Sequence, residues 1–200
     1  DDILGAASCT TNAIVPVLKV LNDEYRIISG HIETVHAYTN DQNLLDNFHE
    51  KSRRGRSAAL NLVITETGAG KAVGQILPEL EGKLTANAIR VPTPNVSLAI
   101  MKLNLGKSMG ATELNDFLRQ TAFHSKYKDQ IDFTNSNEIV SSDFVGNRYA
   151  GIIDSAATIC NENHAILYVW YDNEFGYTVQ LLGLAKEMVG LTYKRYPEYQ

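Results

Sequence analysis

The sequence predicts one α+β domain built on a mostly antiparallel or mixed sheet. Candidate strands outnumber candidate helices along the chain, which favours a sheet as the central layer. The chain shows no internal repeat and no low-complexity linker, so a single unit accounts for its whole length. With 200 residues, of which 44% are hydrophobic, it is long enough to bury a sizeable core.

The first predicted helix carries Ile14, Val17, Leu18 and Leu21 at the spacing of an amphipathic face and ends near Asn22. Two starting points remain open for it. Proline is well suited to a first helical position, so the helix could begin at residue 16. Alternatively the helix begins at residue 8 and tolerates an interior proline with a kink.

A β-branched run over 31–36 predicts a strand with His36 at its end. The segment 37–57 is long, polar and rich in Asn, Asp and Arg, and a loop of this length inside a domain usually has a function. A short strand over 60–65 then runs into a turn at 67–71 and a helix with apolar residues at 73, 76 and 77.

Later elements follow the same signals. A helix from residue 112 is predicted, together with strands at 88–91, 96–105, 139–144, 152–159 and 165–171. The last predicted helix, over 176–190, has apolar residues on more than one face. Such a helix needs cover on several sides, so we expect it to dock on a partner subunit or on a domain outside this chain.

Composition argues against several classes of protein. The net charge of -5 comes from 18 basic and 23 acidic residues without a long single-sign run, unlike a general nucleic-acid or anionic-membrane binder. No stretch approaches the ~18 apolar residues of a membrane span. The chain starts without methionine and soon reaches a dense polar motif, so we expect it to be part of a longer protein.

The cysteines and histidines do not suggest a metal site or a disulfide framework. Cys9 and Cys160 lie far apart and form no CxxC pair, which is typical of a protein from a reducing cytoplasm. The histidines other than His36 are His31, His49, His124 and His164. No spacing such as HExxH connects them, so no metal is predicted.

Cys9 is the first candidate for chemistry because small hydrogen-bonding residues flank it on both sides. A nucleophilic cysteine needs a histidine that holds the thiolate and moves protons, and His36 at a strand end is the best placed. A lone cysteine is more often a small buried hydrophobe, so the pair by itself leaves both readings open.

A second candidate is an anion site. Thr67 and Gly68 at a helix start offer a hydroxyl and backbone N–H groups, and Arg54 and Arg90 could add bidentate charge. Each feature alone is equally consistent with ordinary structure, but together they suggest a phosphorylated substrate. The glycines at 68–74 match neither GxGxxG nor GxxxxGK[ST], so no nucleotide fold is predicted.

Five segments occur in one order along the chain: ASCTTN at 7–12, HAYT at 36–39, TGA at 67–69, RVPT at 90–93 and WYDNEFGY at 170–177. Over nearly its whole length the chain resembles the catalytic domain of phosphorylating glyceraldehyde-3-phosphate dehydrogenases. The resemblance implies an α+β fold with helices covering one face of the sheet. It also implies that the amino-terminal Rossmann half of the family lies outside these residues.

The resemblance implies that Cys9 attacks the aldehyde to give a thiohemiacetal and that His36 takes a proton as hydride leaves for NAD. Inorganic phosphate then cleaves the thioester. The Cys9 N–H and the His36 ring would hold the developing oxyanion. NADP stays open as the cofactor, because the residue that reads the ribose would lie outside the chain.

The resemblance also implies binding roles. The residues that match the subsite of the attacking phosphate are Ser8, Thr10, Thr67 and Gly68. Thr39 and Arg90 match the subsite of the substrate phosphate, and Arg54 matches an arginine near both, with Arg53 as the neighbouring candidate. Asn173 and Tyr177 match positions near the nicotinamide. Glu66 stands where the family more usually has a hydroxyl residue, and its carboxylate would oppose phosphate if it faces the site.

The implied organisation is a catalytic domain over 1–175, with an S-like loop at about 37–57, and a helix and tail over 176–200 that pack on the missing NAD-binding half. The resemblance further implies a cytoplasmic, glycolytic homotetramer, with the chain inactive by itself. Erythrose-4-phosphate dehydrogenase is the closest alternative. A Cys/His thiol esterase and a non-catalytic assembly module are more remote ones.

Overall fold

An eight-stranded mixed sheet organises the part of the chain that the computed structural model describes, residues 3–191. The strands are β1 (Ile27–Ala37), β2 (Val63–Thr65), β3 (Leu84–Val91), β4 (Ser97–Leu105), β5 (Ile131–Thr134), β6 (Gly151–Asp154), β7 (Ile159–Asn161) and β8 (His164–Tyr171). The helices are α1 (Cys9–Tyr25), α2 (Ala69–Ile76), α3 (Ala111–His124) and α4 (Phe175–Met188). The predicted tail at 192–200 and the first two residues lie outside the described part.

The strand order is β2-β3-β1-β4-β8-β6-β5, and β7 also pairs with β8. Most neighbours run antiparallel, but β1 pairs with β3 and β5 pairs with β6 in parallel. The predicted α+β class and mixed sheet are therefore confirmed.

The core lies between α1 and one face of the sheet. The predicted apolar face of α1 is fully buried, and alternate residues of β4 meet it, namely Ala99, Met101, Leu103 and Leu105. Residues of α2 and α3 complete the same cluster, including Val73, Leu114 and Leu118. This burial follows from the periods of 3.6 and 2 that the sequence shows.

The start of α1 is at Cys9, and Pro16 lies inside the helix. The Ser8 side chain caps the helix by accepting a hydrogen bond from the Thr11 N–H at 3.1 Å. Pro16 is buried and cannot donate to the carbonyl one turn before it. The second of the two predicted starting points is therefore the observed one.

Three predicted strands differ from the structure. The segment 139–144 contains a 3-10 turn (Ser141–Phe144), because the Asp143 carboxylate accepts from the Val140 N–H at 2.8 Å and closes the backbone locally. The predicted strand at 152–159 divides into β6 and β7 around Asp154, whose carboxylate accepts from the Ala157 N–H and the Trp170 indole. The predicted strand at 60–65 is ordered as β2 only from Val63, and β5 has no counterpart in the prediction.

The polar segment after β1 folds back on itself. Backbone hydrogen bonds join Asn43 to Arg54 and Asn47 to Gly55, and a 3-10 turn (Ser52–Gly55) closes the loop. A Cβ at Gly55 would lie 2.4 Å from the Asn47 carbonyl, so only glycine fits this close approach. The loop thereby returns Arg54 to the end of β1.

The last helix, α4, is only weakly covered by the described residues. Gly176 is its one buried residue, and Leu181, Leu182 and Met188 are each about half exposed. Within residues 3–191, no helix combines the length and the apolar content needed to cross a bilayer.

Candidate active site

Cys9 and His36, which are 27 residues apart in sequence, meet where the first turn of α1 lies over the end of β1. The Cys9 sulfur is 3.6 Å from the His36 Nε2. Cys9 is half-buried and His36 is only 7% exposed. A nucleophile and a histidine in contact at a helix N-terminus form an arrangement suited to covalent catalysis.

A side-chain hydrogen bond joins the first turn of α1 to β8. The Thr10 hydroxyl lies 2.8 Å from the Tyr171 hydroxyl, and both residues are buried. The Tyr171 ring also packs edge-on against the His36 ring, with centroids 6.0 Å apart. Tyr171 therefore contacts both elements that carry the reactive pair.

Burial changes the titration of both members of the pair. It raises the pKa of the Cys9 thiol, although hydrogen bonds from Thr10 and the charge of Arg90 act in the opposite direction. Burial and the charge of Arg90 lower the pKa of His36 from 6.5 to about 4. Both shifts favour a neutral thiol and a neutral imidazole over a thiolate and an imidazolium.

Arg90 contacts the other side of the His36 ring. Residues 36 and 90 are partners in the parallel pairing of β1 and β3. The Arg90 Nη1 lies 2.8 Å from the His36 Nδ1, 2.8 Å from the Ala37 carbonyl and 3.5 Å from the Thr39 hydroxyl. The register of the sheet therefore sets a cation against the histidine.

Arg54 approaches the same region from the polar loop. Its Nε donates to the Thr65 hydroxyl at 3.0 Å, its Nη2 donates to the Glu66 carbonyl at 3.3 Å, and its Nη1 pairs with Asp41. Arg53, the neighbouring candidate, is exposed and does not line the cavity described next. The structure thus brings Arg54 and not Arg53 to the site.

These residues surround a cavity of about 670 Å³. The predicted site residues that line it are Ser8, Cys9, Thr10, His36, Arg54, Thr67, Gly68 and Arg90. Lys51 and Glu66 line it as well, so its basic residues outnumber its acidic one. Thr39 reaches the cavity only through Arg90, whereas Asn173 and Tyr177 are not part of its lining.

Comparison with known proteins identifies the family of this chain. The family described as glyceraldehyde 3-phosphate dehydrogenase, C-terminal domain, matches residues 8–173. This chain belongs to the glyceraldehyde-3-phosphate dehydrogenase family. The resemblance inferred from the sequence is therefore confirmed, and the cavity lies in the catalytic domain of that family.

Individual relatives of the dehydrogenase family cover most of this chain. A glyceraldehyde-3-phosphate dehydrogenase-like protein of Pseudomonas aeruginosa is 62% identical over 98% of the chain and 43% of its own length. Glyceraldehyde-3-phosphate dehydrogenase 1 of Bacillus subtilis and glyceraldehyde-3-phosphate dehydrogenase 2 of Trichormus variabilis are each 44% identical over 92% of the chain. The region that matches this chain makes up 55% and 54% of the lengths of these two proteins, so the chain spans about half the length of the curated relatives it matches.

Asn173, for which the sequence resemblance implies a place near the nicotinamide, has a buried amide with one unused group. Its Oδ1 accepts from the Ser97 hydroxyl at 2.9 Å, and Ser97 in turn accepts from the Ala37 N–H at 3.1 Å. The Asn173 Nδ2 has no hydrogen-bond partner within residues 3–191. An orphaned amide N–H of this kind fits a carboxamide oxygen. Tyr177 is half-buried on α4.

Sequence reasoning missed three residues that support this site. Ser97 of β4 and Tyr171 of β8 are partners in the antiparallel pairing of these strands, and this register brings both to the site. Pairing between distant segments leaves no local signal in the sequence. Asp172 accepts from the N–H groups of Glu174 and Phe175, so it fixes the start of α4. A residue of this type just before a helix is a typical cap and could have been predicted.

No three His, Cys, Asp or Glu side chains of residues 3–191 come together in a way that could hold a metal ion.

Proposed function

We propose that this chain is the catalytic domain of an enzyme that oxidises glyceraldehyde 3-phosphate to 1,3-bisphosphoglycerate with NAD or NADP. The observation that carries the proposal is the 3.6 Å contact between Cys9 and His36 beside a cavity lined by Arg54 and Arg90. The contact supplies a nucleophile with a base, and the cations suit a substrate that carries a phosphate.

In the proposed reaction His36 Nε2 takes the proton of the Cys9 thiol, the thiolate adds to the aldehyde carbon, and the resulting alkoxide takes that proton back to give a thiohemiacetal. His36 Nε2 then takes the hydroxyl proton while C1 loses a hydride, which leaves a thioester on Cys9. Inorganic phosphate attacks the thioester carbonyl, and the Cys9 thiolate leaves. The Cys9 N–H at the start of α1 and the His36 ring stabilise the negative charge on the carbonyl oxygen.

Two phosphate positions are part of this proposal, and the basic lining of the cavity supports them. Arg90 and Thr39 hold the substrate phosphate. The attacking phosphate is bound by Ser8, Thr10, Thr67 and Gly68, at the N-terminal ends of α1 and α2. Arg54 lies beside both positions. Free N–H groups and the dipole of α1 support an anion there.

Asn173 and Tyr177 would hold the nicotinamide, with the free Asn173 amide on the carboxamide oxygen. The cofactor supplies the hydride acceptor when it is bound. The exposed apolar side of α4 supports packing of this helix on an NAD-binding half outside the chain, with 1–175 as the catalytic domain. The chain alone is then inactive, and the whole protein is a cytoplasmic homotetramer whose loop at 37–57 reaches a neighbouring subunit.

The test is reduction of NAD by the purified whole protein, including its NAD-binding half, with glyceraldehyde 3-phosphate, with and without inorganic phosphate. We expect turnover that requires phosphate and that is abolished in Cys9→Ser. Turnover with erythrose 4-phosphate that does not require inorganic phosphate would instead favour the erythrose-4-phosphate enzyme. Hydrolysis of an activated ester without any NAD reduction would favour the esterase.

A further inference from the structure

The three nitrogens of the Arg54 side chain are held by three different groups. Nε donates to the Thr65 hydroxyl, Nη2 to the Glu66 carbonyl and Nη1 to the Asp41 carboxylate. A guanidinium group has five N–H donors, so these contacts use three of them and leave one on each terminal nitrogen. Arg54 lines the cavity, where the two remaining N–H groups suit a bidentate contact with a phosphate.

Asp41 contacts Arg54 with only one of its two oxygens. Oδ2 pairs with Arg54, whereas Oδ1 lies 3.5 Å from the His49 Nε2. Burial raises the pKa of the Asp41 carboxyl, but the charge of Arg54 and hydrogen bonds from Arg54 and His49 lower it by more, so the pKa lies below its ordinary value. The carboxylate is therefore ionised and shared between a guanidinium and an imidazole.

The His49 ring is fixed in one orientation and one tautomer. Its Nδ1 accepts from the Lys51 N–H at 2.9 Å, so the proton of the neutral ring lies on Nε2. Since a carboxylate only accepts hydrogen bonds, the contact with Asp41 requires the same tautomer. The Lys51 carbonyl accepts in turn from the Arg54 N–H at 2.8 Å, which keeps the ring and the arginine in one turn of the loop.

We propose that His49 is a positioning residue that keeps Asp41 away from the Arg54 N–H groups that bind phosphate. The inference rests on the proposed function, because it assigns a control on the phosphate affinity of the same cavity. Carboxylates and guanidinium groups frequently pair through two parallel hydrogen bonds. The Nε2–H of His49 retains one Asp41 oxygen and thereby limits Asp41 to a single contact with Arg54. Without that N–H, the freed oxygen takes a second Arg54 nitrogen and competes with phosphate for it.

His49 reaches the cavity through Arg54. Neither His49 nor Asp41 is part of the cavity lining, whereas Arg54 is. The other arginine of the lining, Arg90, is held at the end of β1 instead. If His49 acts by restraining Asp41, the effect of losing His49 should therefore depend on whether Asp41 is present.

The first test is isothermal titration of the purified whole protein with inorganic phosphate, using variants that separate the two ring nitrogens. His49→Asn places an oxygen near the position of Nδ1 but is too short to donate to Asp41, so phosphate should bind several-fold more weakly. His49→Gln places an amide N–H near the position of Nε2, so phosphate should bind as in wild type. Equal losses in the two variants would contradict a role that depends on Nε2.

The second test measures the coupling between His49 and Asp41 by the same titration. Asp41→Ala should increase phosphate affinity more in the His49→Asn background than in the wild-type background, because Asp41 competes fully only when His49 is absent. A simple effect of charge, or a role of His49 in loop stability alone, gives equal gains in both backgrounds, and that result would overturn the proposal. His164→Asn, at an exposed histidine of β8, is the matched control and should leave phosphate affinity unchanged.

Phosphate titration uses neither NAD nor turnover, so this inference and the proposed function fail separately. Turnover that requires phosphate, together with equal gains from Asp41→Ala in both backgrounds, refutes only this inference. The expected coupling in a whole protein that does not reduce NAD refutes only the proposed function.

Discussion

The hydroxyl groups of Thr10 and Tyr171 lie 2.8 Å apart and join the first turn of α1 to the last residue of β8. The two residues are 6% and 1% exposed, so water does not compete for this hydrogen bond. Since Cys9 immediately precedes Thr10, the bond fixes the helix turn that carries the thiol against the sheet.

Removing one partner of this bond should destabilise the protein. Tyr171→Phe leaves the Thr10 hydroxyl buried without its partner, which we expect to lower the free energy of unfolding by about 1–3 kcal/mol. The measurement is urea denaturation. Thr10→Val combined with Tyr171→Phe is the control, because removing both hydroxyls should recover much of the loss. A double variant that shows the summed losses of the two single variants would contradict this explanation.

His36 should make stability depend on pH. Its folded-state pKa of about 4 lies below its ordinary 6.5, so the unfolded chain binds more protons between these values. Stability therefore falls as the pH falls from 6.5 to 4, by about 3 kcal/mol at about 1.4 kcal/mol per unit. Unfolding free energies of wild type and His36→Asn across this window measure the difference. If the unfolding free energies of the two proteins change in parallel with pH, His36 is not the source of the pH dependence.

Ser97 should support cofactor binding from a distance, because it bridges the Ala37 N–H and the Asn173 amide. Ser97→Ala releases the Asn173 side chain, and we expect the Kd for NAD to rise about tenfold, which corresponds to ~1.4 kcal/mol. Fluorescence titration of the whole protein gives this constant. Ser29→Ala, at an exposed serine of β1, is the matched control and should leave it unchanged. An unchanged Kd in Ser97→Ala would show that Asn173 does not need this bond.

Glu66 should weaken the binding of inorganic phosphate. Its side chain is exposed and lines the same cavity as Arg54 and Arg90. Glu66→Gln removes the like charge, and we expect phosphate to bind several-fold tighter, an effect of about 0.5–1 kcal/mol that decreases with added salt. Isothermal titration with phosphate tests this. Glu113→Gln on α3 is the control for net charge, and equal gains in both variants would exclude a local effect.

Local patterns predicted much of the fold. The apolar face of α1, the two central strands β4 and β8 and the last helix all follow from spacing within one segment. The start of α1 could not be decided that way, because Ser8 as a cap and Pro16 as a first residue are both favourable locally. The short strand β5 was missed because its pairing with β6, not its four residues, makes it a strand.

The sequence by itself determined which reactive groups this protein has and the order in which they occur. Cys9, His36, Arg54 and Arg90 were identified from residue type and from neighbouring motifs, because nucleophiles, bases and anion binders are few in kind. Only the tertiary structure decided their geometry. The parallel register of β1 and β3 sets Arg90 against the His36 Nδ1, and register depends on pairing between segments that are distant in sequence.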